Sequence, residues 1–352
     1  MTDIPILGSI IQFFQFVLDQ LPFIADATVA AAIPVALAAL CGVVSERSGV
    51  VNIGLEGIML VAAFVAWISG VVAVAILGPG EPTAIFGITL PLIIALVAAL
   101  ISGMILAALH AYLSISLRAD QIISGVIINI AAVGLTGYLN TSISTLSPKG
   151  AGAFDSLNVP PDVANIPVIG WLINAIFDQG PIAIATIFIV IILQILLFRT
   201  KWGLRTRAVG EHPRAAETVG INVIRLRYRN VIASGALAAL AGAYLTIELT
   251  TSFQANMTNG RGFIGLAAMI VGRWTPIGAF GAALLFYSTD AFQRAVKFAA
   301  PDNAMGQFLE TIPPQFYDSL PYLITIIILA GVVGRSVPPA ADGQPYEREA
   351  AA

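Results

Sequence analysis

FRTKWGLRTRAVGEHPRAAETVGINVIRLRYRN, residues 198–230, carries eight of the chain's 17 Lys and Arg residues: Arg199, Lys201, Arg205, Arg207, Arg214, Arg225, Arg227 and Arg229. Only two acids, Glu211 and Glu217, stand among them, although the whole chain has a net charge of −3. A basic island inside an otherwise acidic and very apolar protein has to be hydrated, so this stretch is expected to be a solvent-facing loop.

Working outward, the flanking sequence is lipid-like. Hydrophobic residues make up 58% of the chain and charged residues 11%, where a soluble domain carries about 25% charged residues. The mean hydropathy is +0.89. These values predict an all-α, polytopic transmembrane bundle. No long polar segment remains to build a separate soluble domain. The single cysteine, Cys41, lies in an apolar run and has no disulfide partner within the chain, so packing is its expected role.

In chain order, residues 1–26 read as an amphipathic or partly inserted segment, with a full span as the alternative, because Gln12, Gln15, Asp19 and Gln20 interrupt the apolar run. The transmembrane domain is expected over 27–334. Apolar runs end at Ser45-Glu46-Arg47-Ser48-Gly49, resume after Gly57, and recur over about 88–113, 122–139, 181–198 and 231–250. Residues 140–180, rich in Ser, Pro, Asn and Gly, form an expected extracytoplasmic loop. The stretches 262–272 and 277–292, separated by Arg273-Trp274-Thr275-Pro276, are short and broken, a pattern found near transport pathways, although a pair of tilted spans accounts for them too. A last span is expected over 320–333, and the Pro-rich tail 335–352 reads as disordered. The total is about nine segments, with eight to ten allowed. If the loop 199–230 is cytoplasmic, four basic residues (Lys149, Arg261, Arg294 and Lys297) fall outside and the other thirteen inside, as the positive-inside rule requires. The C-terminus is then cytoplasmic.

Three polar residues inside the bundle are candidates for the solute path. Asn52 and Glu56 lie four apart and share a helix face, and an ionisable group at membrane depth usually faces a bundle interior or a wet cavity. The alternative is that both brace the helix start near Arg47. Asn129, among Ser124, Thr136 and several glycines, fits a solute contact or a helix–helix contact.

Within the basic island, Pro213 suits the first turn of a helix because its missing N–H would be unpaired there, and Gly220 suits the stop. A helix over 213–219 is therefore expected, with Ala215 and Ala216 leaving a low surface able to enter a groove on a partner. Binding of anionic lipid by the basic residues is the competing reading.

Three stretches resemble the membrane-spanning permeases of ATP-binding-cassette (ABC) importers for branched-chain amino acids, simple sugars and nucleosides. They are Ser45-Glu46-Arg47-Ser48-Gly49-Val50-Val51-Asn52-Ile53-Gly54-Leu55-Glu56-Gly57, the segment from Gly203-Leu204-Arg205 through Gly210 to Ile221, and Gly260-Arg261-Gly262-Phe263-Ile264-Gly265-Leu266-Ala267-Ala268-Met269-Ile270-Val271-Gly272-Arg273-Trp274. The first looks most like the nucleoside subgroup, with simple-sugar (ribose-like) and branched-chain amino acid permeases as the alternatives. The resemblance implies a coupling helix formed by Gly210, Glu211, His212, Pro213, Arg214, Ala215, Ala216, Glu217 and Gly220, seated on a separate ATPase subunit. It also implies a second related permease chain in a heterodimer, an extracytoplasmic substrate-binding lipoprotein, and residence in the bacterial cytoplasmic (inner) membrane. The chain itself is then no enzyme and needs no cofactor, ATP-Mg being bound by the partner; no Walker A pattern occurs in it, and no nucleic-acid partner is expected. A different class, an ion-coupled secondary transporter, would want several membrane acids, and only Glu56, Glu248 and Asp290 lie near spans. His110 and His212 fall in different places, so neither metal nor Ser-His chemistry is expected.

Overall fold

The structure, a computed structural model, describes residues 5–144, 150–164, 166, 169–299, 304–327 and 336–347. Every regular element among them is helical. Lys149, Arg335 and Arg348, used in the charge count, and the end of the expected 320–333 span lie outside the described residues.

The first helix, α1 (Pro5–Glu46), departs from the expected division near residue 26 and runs unbroken through Pro22 and Pro34. Each proline removes one backbone hydrogen bond, but the Ala-rich stretch around Pro34 has high helix propensity, and nearly every residue from Ala32 to Glu46 is buried. Helix α2 (Leu55–Leu77) and α3 (Leu90–Ala111) follow, the latter started by Thr89, whose hydroxyl accepts from Leu92 N. In α4 (Gln121–Ser144) the Asp120 carboxylate accepts from the N–H groups of Ile122 and Ile123, satisfying two of the donors that open any helix.

Beyond the end of α4, the described residues of the polar stretch 140–180 hold two short helices, α5 (Pro161–Ala164) and α6 (Gly170–Phe177). Helix α7 (Pro181–Arg199) leads into α8 (Lys201–Glu211), α9 (Pro213–Thr218) and α10 (Val223–Tyr244). After α10 come a π-turn over Leu245–Leu249 and an irregular stretch, then the 11-residue α11 (Arg261–Val271). Helices α12 (Pro276–Ala299), α13 (Ala304–Thr311) and α14 (Pro314–Ile327) complete the order. Six helical segments among the described residues are long and apolar enough to cross a membrane; nine separate crossings are not reached there. The 11 residues of α11 extend about 16 Å at 1.5 Å per residue, about half of a ~30 Å hydrocarbon core.

The chain divides into two compact units. One takes Met1–Ala32, Ser156–Gln179 and Ala283–Arg335. Its core joins Phe16, Ile24, Ala291, Ala295, Val296, Leu309 and Tyr317, and the Gln179 amide donates to Asp26 at 2.8 Å.

The other unit takes Ile33–Asp155, Gly180–Ala282 and Ser336–Ala352, and it holds every candidate site residue. Helices α2, α3 and α10 pack against one another, with α4 against α2. Small residues permit the approach: a Cβ on Gly103 would lie 2.8 Å from Gly235 O, and one on Gly242 would lie 2.1 Å from Met59 O. Such glycine contacts are the usual means by which apolar helices associate in lipid. Helix α11 runs parallel to the second half of α1, with Gly265 against Ala38 and Ala39 and Met269 against Gly42.

Candidate functional site

At the expected coupling segment the sequence specifies a very short helix. Pro213 opens α9, and the helix ends in a Schellman motif: Gly220 N donates to Glu217 O (2.9 Å) and Ile221 N to Ala216 O (3.1 Å), with Gly220 at φ +83°. These two bonds satisfy terminal carbonyls that six residues of helix leave unpaired. Glu211, His212, Arg214, Ala215 and Val219 are exposed, Val219 at 75%. Ala216 corrects the expectation that both alanines face outward. It is 3% exposed and packs with Val209, Val223, Leu226 and Tyr346, so only Ala215 offers the low surface. Gly210 is buried rather than exposed, because a Cβ there would lie 2.3 Å from Arg47 O.

The basic island is not uniformly solvated either. Arg227 is 1% exposed; its Nε donates to Ser48 O (3.0 Å) and its Nη1 to Gln344 O (3.0 Å), and its guanidinium lies 5.9 Å from the Tyr346 ring centre. That partner segment is the tail expected to be disordered. Residues 336–347 are instead packed, with Pro339, Ala341 and Tyr346 buried and Ala341 N donating to Gly210 O (2.8 Å). Composition misjudged it because backbone hydrogen bonds and three buried residues hold it, rather than an apolar run. A cavity of ≈ 690 Å³ lies between the tail and the start of α9.

The two other conspicuous stretches, 45–57 and 260–274, hold each other. Glu46 accepts from the Trp274 indole N–H (2.6 Å), while the Arg47 guanidinium donates to the carbonyls of Trp274 (2.9 Å) and Arg273 (3.1 Å). Arg273 and Trp274 both have positive φ, +54° and +51°. A left-handed backbone costs about 1–2 kcal/mol per non-glycine residue, and these three hydrogen bonds keep the chain in that turn. At the other end of α11, the Glu56 carboxylate accepts from Gly260 N (2.8 Å) and Gly262 N (2.6 Å) and is 7% exposed. It thus sits at the positive end of the half-length helix, supplying both acceptors and a complementary charge.

Residues 50–54 are irregular, and side chains of neighbouring helices take up part of their backbone. Val51 N donates to Gln121 Oε1 and Val51 O meets the His110 ring, which also bonds Ser124; Asn129 donates to Ile53 O (3.0 Å) and accepts from Gly57 N (2.7 Å). Non-helical backbone within a membrane protein is tolerated only when satisfied in this way or lining a wet cavity. Asn52 is buried against Cys41, its Oδ1 without a hydrogen-bond partner.

The structure therefore brings Asn52, Glu56 and Asn129 to one region around the start of α2, with Asn129 and Glu56 engaged by backbone groups. Sequence reasoning missed Gln121, His110, Arg227 and Trp274. Only His110 stood out as a titratable residue inside an otherwise apolar run, whereas Arg227 was one of eight basic residues in the island and nothing set it apart from them. The remaining acids near spans are also engaged: Glu248 accepts from Ile182 N (2.8 Å) and Ala183 N (3.1 Å) at the start of α7, and Asp290 pairs with Arg294 at 2.6 Å.

Residues 24–331 match the family described as "Branched-chain amino acid transport system / permease component". A guanosine ABC transporter permease protein of Bacillus subtilis (NupQ) is 38% identical over 340 residues, covering 94% of this chain and 98% of the relative. A nucleoside ABC transporter permease protein of Lactococcus lactis subsp. cremoris (NupC) is 36% identical, covering 89% and 93%. A putative glucose ABC transporter permease protein of Haloferax volcanii (TsgC13) is 33% identical, covering 92% and 97%. No solved structure matches the chain.

Proposed function

The chain belongs to the branched-chain amino acid transport system permease family, and we propose from this premise that it is the permease subunit of an ABC importer whose solute is a nucleoside. The solute class rests on the guanosine and nucleoside permeases at 38% and 36% identity, with near-complete coverage of both chains. The glucose permease at 33% supports a sugar as the second reading. A nucleoside itself carries a sugar ring, so a competition assay has to separate the two classes.

The observation that carries the coupling role is α9, a six-residue helix stopped at both ends and presenting Ala215 beside the exposed His212, Arg214 and Val219. A separate ATPase subunit takes this surface, and ATP-Mg binds there rather than on this chain. The other partners are a second related permease chain and an extracytoplasmic binding lipoprotein. The loop 199–230 and the C-terminus lie on the cytoplasmic side of the bacterial inner membrane, a placement supported by the concentration of basic residues in that loop. Hydrolysis in the partner shifts α9, and the bundle alternates between outward and inward access.

Ala215→Trp in the assembled transporter tests this reading. ATPase co-purification and nucleoside uptake are expected to be lost while the permease remains in the membrane. Retention of both would sink the coupling role of α9. Uptake into proteoliposomes competed by guanosine, adenosine, ribose, glucose and leucine tests the solute; competition by leucine alone would overturn the nucleoside assignment.

A further inference from the structure

We infer that the C-terminal residues 336–347 form a strap that fixes α9 to the membrane helices, with Tyr346 as its positioning residue. The inference rests on the reading of α9 as the ATPase-coupling helix.

The strap crosses one helix end after another. Ser336 Oγ donates to Ile270 O near the end of α11 (2.7 Å), Ala340 N to Glu211 Oε2 (3.1 Å), and Ala341 N to Gly210 O at the end of α8 (2.8 Å). Pro339 lies beside Gly210, whose own carbonyl takes the strap and whose Cα faces Arg47 O. Farther along, Gln344 O accepts from Arg227, and Glu347 pairs with Arg118 at 2.6 Å, between α3 and α4.

Tyr346 is the residue through which this strap reaches α9. Its hydroxyl donates to the Glu217 carboxylate in the last turn of α9. Its ring is 8% exposed, packs with Ala216 of α9, Val209 of α8, and Val223 and Leu226 of α10, and lies under the Arg227 guanidinium. A six-residue helix has too few internal hydrogen bonds to hold itself rigid. Its orientation therefore has to come from outside, and Tyr346 supplies an apolar contact to Ala216 and a charge-assisted hydrogen bond to the adjacent Glu217. Open space remains on both sides of the ring, ≈ 690 Å³ toward Pro213 and Ala215 and ≈ 410 Å³ toward Gly220 and Asn222, so loss of the ring leaves α9 with room to tilt. A force applied to Ala215 then reaches α8, α10 and α11 through the strap instead of being absorbed by rotation of α9.

The experiment uses the complete reconstituted transporter. Deletion of 336–352, Tyr346→Ala and Tyr346→Leu are compared with Tyr346→Phe and Ala215→Trp, reading ATPase co-purification, basal hydrolysis, and stimulation of hydrolysis and uptake by loaded binding protein. The deletion, Tyr346→Ala and Tyr346→Leu are expected to keep the ATPase bound and basal hydrolysis running while stimulation and uptake fall by about fivefold or more, the low end of ordinary site–site coupling. Tyr346→Phe keeps the ring and is expected to retain most of the stimulation. Tyr346→Leu preserves apolar packing, so it remains informative if Tyr346→Ala fails to assemble. Wild-type stimulation in assembled Tyr346→Ala or Tyr346→Leu would overturn the strap, and so would loss of ATPase co-purification in Tyr346→Leu, which would make Tyr346 part of the docking surface itself. Retained association in Ala215→Trp would remove the α9 reading and this inference together; lost association there beside normal Tyr346 variants would remove the strap alone.

Discussion

Replacing Glu56 separates its role as a brace from a role on the solute path. Both carboxylate oxygens are engaged, with Gly260 N at 2.8 Å and Gly262 N at 2.6 Å, and the residue is 7% exposed. A hydrogen bond to a charged group contributes about 1.5–3 kcal/mol, and stranding a buried donor costs about 1–3 kcal/mol. The charge at a helix N-terminus adds about 0.3–2 kcal/mol. Glu56→Ala strands both N–H groups and removes the charge, so the expected destabilisation is about 3–6 kcal/mol, within the range reserved for a broken buried network. Glu56→Gln is nearly isosteric and keeps one carbonyl acceptor, so about half of that loss is expected. Thermal unfolding of the detergent-solubilised transporter and the nucleoside KM in proteoliposomes provide the readout. For a brace, Tm falls in the order wild type, Gln, Ala, and KM of the Gln variant stays near wild type. An unchanged Tm in Glu56→Gln together with a KM raised about tenfold, equivalent to about 1.4 kcal/mol of binding, would refute the brace and put the carboxylate on the solute.

Other perturbations act at defined contacts. Gly242→Ala drives a Cβ to 2.1 Å from Met59 O, and a destabilisation of about 1–3 kcal/mol is expected from this overpacking, read as a lower Tm; an unchanged Tm would show that α2 and α10 can separate freely. Ala216→Trp is expected to destabilise the permease itself, unlike Ala215→Trp, because Ala216 is buried among Val209, Val223 and Tyr346; equal expression and Tm of the two variants would contradict that. Burial pushes the Asp342 carboxyl above the usual carboxylate range, outweighing the attraction of Arg227. Asp342 has a docked-state pKa above its undocked value of about 3.9, so it favours docking at low pH, and that contribution is lost as pH rises through the raised value. Proteolysis within 336–347 should therefore quicken with rising pH, and Asp342→Asn should flatten the profile; an identical profile in that variant would remove Asp342 as its cause.

Much of the architecture was legible because lipid imposes strong compositional rules. Apolar runs located most of the helices, Pro213 and Gly220 bracketed α9 to within a residue, and Arg273-Trp274 marked the break after α11. What periodicity could not give was partnership. Residues 1–26 read as separate because local polarity at Gln12, Gln15, Asp19 and Gln20 says nothing about the Ala-rich continuation that carries α1 past Pro34. The tail 336–347 read as disordered because composition weighs apolar content, and this segment is held mainly through Gly210 O, Glu211, Arg227 and Glu217. Arg227 was grouped with hydrated charges for the same reason: its burial is created by residues 117 positions away. Asn129 and Glu56 were singled out as costly at membrane depth, and both are engaged by backbone groups. Their partners, the backbone N–H groups of Gly57, Gly260 and Gly262, carry no side-chain signature at all.

Helix α11 connects these observations into a testable mechanical unit. Glu56 fixes its first turn, and Arg47 and Glu46 fix the turn that follows its last residue. Arg47 O also faces Gly210, one peptide from the Glu211 and His212 that precede α9. Continuity of contacts is only an associational argument for coupling between distant sites, so a double-mutant cycle has to measure it. Glu56 and Arg47 grip opposite ends of a helix about 16 Å long. Substitutions more than about 7–10 Å apart ordinarily add to within about 0.3–0.5 kcal/mol. If α11 moves as one rigid lever, releasing either end frees the whole helix, so Arg47→Met and Glu56→Gln together should cost less than the sum of the single variants by more than that margin. Additive losses would mean that the two clamps act locally. The path from α9 toward the start of α2 would then end at the Arg273–Trp274 turn.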